Sequence, residues 1–163
     1  MTDQAIPHAP AGGNTGRGAP TVVVGHNPSP AGEQALGVAA DLARRLHAHL
    51  HVVHVTDLAD YPIDPDLPDW EAEAEMNLDE QRRQVTGALR DQPDGWTYHA
   101  RRGSAVTVLA KVADEHDALM IVVGTRGEGA GAVVQRLLRA SVSHGLLRQQ
   151  LRPVLIVSAP DRR

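Results

Sequence analysis

The sequence predicts a single α/β domain built on a doubly wound, five-stranded parallel sheet. Two observations carry this. Short β-branched runs alternate with segments of helical periodicity along almost the whole chain, which is the pattern of a parallel sheet covered by helices on both faces. The 163 residues include no Phe, two Trp and two Tyr, so the core must be built from Val, Leu, Ile and Ala, as helix-covered parallel sheets are. A chain of this length buries roughly two thirds of its unfolded surface and needs no second domain.

The elements follow in order. Residues 1–20 are rich in Gly, Pro and Ala with little to bury, and are expected to form a disordered tail ahead of a domain spanning residues 21–160. Thr21 to Gly25 (TVVVG) reads as the first buried strand. Ser29 then caps a helix with Pro30 at its first position, where a missing N–H costs nothing. Leu36, Ala39, Ala43 and Leu46 recur on one face of that helix. Leu50 to Val55 is the second strand. The segment DLADYPIDPDLPDW holds three prolines and reads as a loop. Asp69 opens a second helix with Ala74, Leu78, Val85 and Leu89 inward, and Asp94-Gly95 closes it.

Trp96 to Arg101 (WTYHAR) alternates as a half-exposed edge strand does. Ser104 caps a third helix with Ala105, Val108, Leu109 and Val112 inward. Leu119 to Gly124 is the most apolar strand and is expected at the centre. A helix from about Ala132 to Gln150 and a last strand, Val154 to Ser158, complete five strands and four helices.

Composition excludes some functions. Twenty acidic against 16 basic residues give a net charge of −4, without the basic patch that nucleic-acid binding needs, and the aromatic shortage removes stacking platforms. No apolar run approaches the roughly 18 residues of a membrane span, and the N-terminus lacks the marks of a signal peptide. Cysteine is absent, which fits a reducing compartment and excludes thiolate metal sites. A cytoplasmic protein is expected.

If the first and fourth strands lie side by side, winding reverses between them, and ligands of such sheets sit in the crevice beyond those strand ends. Gly25-His26-Asn27 follows the first strand and Gly124-Thr125-Arg126-Gly127-Glu128-Gly129 the fourth. Small residues there let backbone N–H groups approach a phosphate, and Arg126 adds a cation. The competing reading is that the glycines only permit a sharp exit from buried strands. A P-loop is excluded because no Lys follows Lys111. Gly127, Gly129 and Ala132 spell GxGxxA, but no acidic residue lies between Glu128 and Asp161 to hold a ribose.

Together, VVVGHNPSPAGEQAL, LHVVHVTD, ARRGSAVTVLAKVADEHDALMIVVGTRG and SVSHGLLRQQLRPVLIV resemble the universal stress protein family over nearly all of residues 20 to 159. The resemblance implies the strand order 3-2-1-4-5 of a Rossmann-like, adenine-nucleotide-hydrolase-like fold, and a dimer whose last strands, here Val154, Leu155, Ile156 and Val157, pair across the interface. It also implies a site for ATP with Mg2+, used as a regulatory ligand, with slow hydrolysis at most and no dedicated catalytic residue. Carried over residue by residue, Gly25, His26 and Asn27 stand at the end of the first strand and Val55 at the end of the second. Gly124, Arg126 and Gly127 stand at the GxxG element, with Ser141 and Val142 at the closing element. Three departures set this chain apart. Asn27 stands where the family's ATP-binding members carry Asp, Ala140 replaces the closing Gly, and twelve residues separate Gly127 from Ala140 instead of about nine. They leave open a second reading, a dimeric interaction module, its protein partner unknown, whose pocket no longer binds nucleotide.

Other constellations are weaker. His47, His49, His51 and His54 cluster in HAHLHVVH. Strand alternation is taken to put His49 and His51 on opposite faces and to make His51 and His54 diverge, so no metal site is expected. His26, Ser29 and Asp57 lack the GxSxG elbow and oriented base of a hydrolase, and Ser29 reads as a helix cap. The five Asp between Asp57 and Asp69 do not have EF-hand spacing.

Overall fold

The computed structural model describes residues 5–8, 18–56, 70–124 and 152–158. The expected loop after Asp57 and helix after Ala132 lie outside them. Among the described residues the elements are β1 (Ala5–His8), β2 (Thr21–His26), α1 (Pro30–Leu46), β3 (His49–Thr56), α2 (Trp70–Ala88), β4 (Trp96–Arg102), α3 (Ala105–Glu115), β5 (Met120–Gly124) and β6 (Val154–Val157). The five strands predicted from the sequence are β2 to β6, and their spatial order β4-β3-β2-β5-β6 is the expected 3-2-1-4-5, all parallel.

The sheet has a sixth strand. β1 lies antiparallel to β4, with Ala5 opposite His99 and His8 opposite Trp96. Two expectations are corrected here. The first is that all of residues 1–20 form a disordered tail; Ala5–His8 pair with the sheet. The second is that Trp96–Arg101 form a half-exposed edge; Trp96, Thr97, Tyr98 and His99 are all buried. A strand's alternation reports its own side chains, whereas its exposure depends on what covers it, and here β1 supplies the backbone partner on the outer side.

Two cores flank the sheet. Val22, Val24, Leu50, Val52, Tyr98 and Val122 of the sheet pack with Leu36 and Ala39 of α1 and Val85 of α2. Val23, Val53 and Ile121 face α3 with Leu109, Val112 and Ala113. Each fully buried valine contributes about 1.5–3 kcal/mol relative to exposure, so the uninterrupted VVV of β2 fits a strand covered on both sides. Leu46, the last residue of α1, is 40% exposed, and Ala105, the first of α3, is exposed, so neither has the inward place that helical spacing predicts.

The caps follow local chemistry. The Ser29 hydroxyl accepts a hydrogen bond from Gly32 N at 3.0 Å and Pro30 opens α1. His47 ends it in the left-handed region at φ 50°. Ser104 stands at the N-cap of α3 without a side-chain cap bond; its carbonyl accepts from Val108 N at 3.0 Å.

Candidate functional site

β2 and β5 are parallel neighbours, Gly25 opposite Val123, and β3 flanks β2 on the other side with His26 opposite His54. The winding reversal therefore falls between β2 and β5. Their C-terminal ends bring Gly25, His26, Asn27 and Gly124 together, and Val55 stands at the end of β3.

Gly124 faces α1. A Cβ there would stand 2.4 Å from Ala31 O and 2.9 Å from Gly32 N, so helix and strand meet backbone to backbone. Gly32 is equally constrained, with its missing side chain replaced by Asn27 O at 2.1 Å and Asn27 Oδ1 at 2.3 Å. Gly25 faces the opposite layer, where a Cβ would meet Leu109 Cδ1 at 3.1 Å. Val55 packs on that same layer.

The polar groups are committed locally. Ser29 donates its hydroxyl to Asn27 Oδ1 at 2.6 Å, a bond that takes one of that oxygen's two acceptor positions and neither amide donor. The His26 ring is fully buried on the α1 side, with Nε2 at 3.1 Å from Glu33 Oε1 and Nδ1 without a hydrogen-bond partner among the described residues. His54 donates Nδ1–H to the His26 carbonyl at 3.3 Å. Burial pushes the His54 pKa down, opposed by that backbone bond, so the ring is neutral there.

This bears on phosphate placement. The first turn of α1 is capped by Ser29 and carries the Glu33 carboxylate, which reduces what an anion gains from that terminus. A phosphate at the crevice therefore depends more on the segment after Gly124. Arg126, Gly127, Ser141 and Val142 lie outside the described residues. A cavity of about 680 Å³ lined by Asp79, Arg82, Arg83, Arg90 and Trp96 lies elsewhere, at the N-terminal end of β4. Open α/β sheets hold ligands at the other end.

The histidines differ from the sequence reading. Residues two apart on a strand share a face, and the rings of His49 and His51 lie 4.9 Å apart. The opposite-face assignment is therefore corrected. His51 also meets His99 on β4 and His116 at the C-cap of α3, and ring nitrogens of these three lie within 4.8 Å of one another. Sequence reasoning missed His99 and His116, since they come from separate elements and only the topology joins them.

The universal stress protein family model matches residues 19–158. Among solved structures, the universal stress protein UspA from Lactobacillus plantarum is 22% identical, with 85% of this chain and 97% of that chain covered and a TM-score of 0.61. A universal stress protein in complex with cAMP is 27% identical, with coverage of 87% and 98% and a TM-score of 0.55. The universal stress protein from Archaeoglobus fulgidus in complex with dAMP is 21% identical, with coverage of 85% and 97% and a TM-score of 0.56. No curated protein matches the chain significantly. No helix among the described residues is long and apolar enough to cross a membrane. The family match spans most of the chain, and the sheet order is the one expected of it: the chain belongs to the universal stress protein family.

Proposed function

We propose that this chain is a cytoplasmic stress-response protein that binds an adenine nucleotide, ATP with Mg2+, as a regulatory ligand in the crevice between the ends of β2 and β5. The observation that carries the reading is the meeting of Gly25, Asn27 and Gly124 at the point where the sheet reverses its winding, the place where such sheets take ligands. Two similar structures are of complexes with cAMP and dAMP, which supports an adenine nucleotide as the class. Asn27 and Val55 hold the adenosine, while Gly124, Arg126, Gly127 and Ser141 hold phosphates. Hydrolysis is slow at most, for no side chain among the described residues of the crevice is placed as a base for water: His26 is buried on Glu33.

A second reading, a dimeric interaction module that takes no nucleotide, is favoured by two observations. The Asn27 side-chain oxygen already serves Ser29, and the space beside Gly124 is filled by Ala31. In both readings β6 forms the dimer interface, supported by its edge position and by Val154, Leu155 and Ile156 at 52%, 38% and 38% exposed. Denaturing freshly purified protein and analysing the supernatant by mass spectrometry separates the two. Adenine nucleotide released near one per chain supports the first reading. None released, together with no uptake from added ATP and magnesium, supports the second.

A further inference from the structure

We propose that His51, His99 and His116 form a binding site for a divalent transition-metal ion of the zinc class, separate from the nucleotide crevice. His51 lies on β3 and His99 on β4, both buried on the face covered by α3. His116 caps α3, and its carbonyl accepts a 2.8 Å hydrogen bond from Thr21 Oγ1 at the start of β2. The cluster thus sits toward the N-terminal ends of the strands, opposite the crevice.

The donor geometry fits such an ion. His51 Nδ1 and His99 Nε2 face each other at 2.9 Å, and one ring nitrogen from each of the three residues lies within 4.8 Å of the others. With Zn–N bonds of about 2.0–2.1 Å and tetrahedral angles, two ligand nitrogens stand about 3.3 Å apart, between those two values. In the metal-free pair one of the facing nitrogens carries a proton; moving it to the outer nitrogen of the same ring frees both lone pairs. The His116 ring stacks on His51 at 3.9 Å and 18°. It is half-buried at a helix end, where a side-chain rotation turns a nitrogen toward the other two.

The neighbours favour three ligands and not four. His49 donates Nδ1–H to the Asp94 carbonyl at 3.3 Å and accepts at Nε2 from Thr97 at 2.8 Å, so both its nitrogens are in use and it packs beside the site. Imidazole donors suit zinc, copper and nickel rather than magnesium or calcium.

The test uses full-length, untagged protein stripped with chelator and titrated with zinc(II) and, for its visible bands, cobalt(II). The expected result is one zinc per chain, a raised melting temperature, and an X-ray absorption shell containing three imidazoles. His116→Ala, at a half-exposed position, should weaken zinc binding at least about 100-fold. His47→Ala, on a side chain 85% exposed, should leave it unchanged. No binding at millimolar zinc, equal affinity in His116→Ala, or fewer than three imidazoles on the bound zinc would overturn the site. Neither result bears on the nucleotide crevice, which shares none of these residues.

Discussion

Gly124 and Ala31 meet so closely that a Cβ on the glycine would stand 2.4 Å from the alanine carbonyl oxygen. That contact seats the first turn of α1 on the end of β5, beside the crevice. Gly124→Ala is therefore expected to cost about 1–3 kcal/mol by overpacking against backbone that cannot rotate away. Gly37 lies in the exposed middle of α1, where an added methyl would meet nothing within 4 Å, and Gly37→Ala should gain about 0.8–1 kcal/mol from helix propensity. Urea midpoints of the two variants should move in opposite directions.

The buried ring of His26 relies on Glu33 for a side-chain hydrogen bond. Glu33→Ala leaves that nitrogen unpaired and is expected to cost about 1–3 kcal/mol, whereas Glu33→Gln keeps an acceptor and should cost less. Equal losses in both variants would count against the bond.

Tyr98 is buried with its hydroxyl unpartnered among the described residues. Burial pushes its pKa up to about 12, against a weaker opposing pull from Arg82. The folded state therefore holds the proton that the unfolded chain releases near 10, and stability falls as pH rises from about 10 to 12. Tyr98→Phe should be neutral or up to about 1 kcal/mol more stable at pH 7. It should also flatten the alkaline slope in a series of thermal melts.

If β6 is the dimer interface, a charge on its exposed face is not tolerated. Leu155→Arg should shift the protein to monomer in light scattering, with the circular dichroism spectrum retained. A dimer of unchanged mass would reject that interface.

The parallel fold was legible because each strand carries its own evidence. VVV in β2 and the Ile121-Val122 pair in β5 are buried, and their crossovers leave few orders for five strands. β1 was not legible, since AIPH has no pattern of its own amid Gly and Pro and its place is set by the free edge of β4. At the crevice, sequence pattern located Gly25, Asn27 and Gly124 but did not show that Asn27 is engaged by Ser29 or that His26 turns away onto α1. The His51, His99 and His116 cluster was hidden for a related reason. Its members meet through strand register and a helix end, and His49 and His51 share a face that alternation was taken to separate.

Asn27 distinguishes binding from its loss. Asn27→Asp keeps the acceptor for Ser29 and adds a charged oxygen for a ribose or adenine donor. It should raise adenosine nucleotide affinity about tenfold, the difference between a neutral and a charge-assisted hydrogen bond.

The central claim is tested most directly by calorimetric titration of nucleotide-free protein with ATP and magnesium, followed by amide NMR. Saturable binding of one nucleotide per chain is expected, with shifts concentrated at Gly25, Asn27, Val55 and Gly124. A folded protein that takes up no ATP at millimolar concentration, or binds it with those amides unmoved, would contradict a nucleotide site at the crevice.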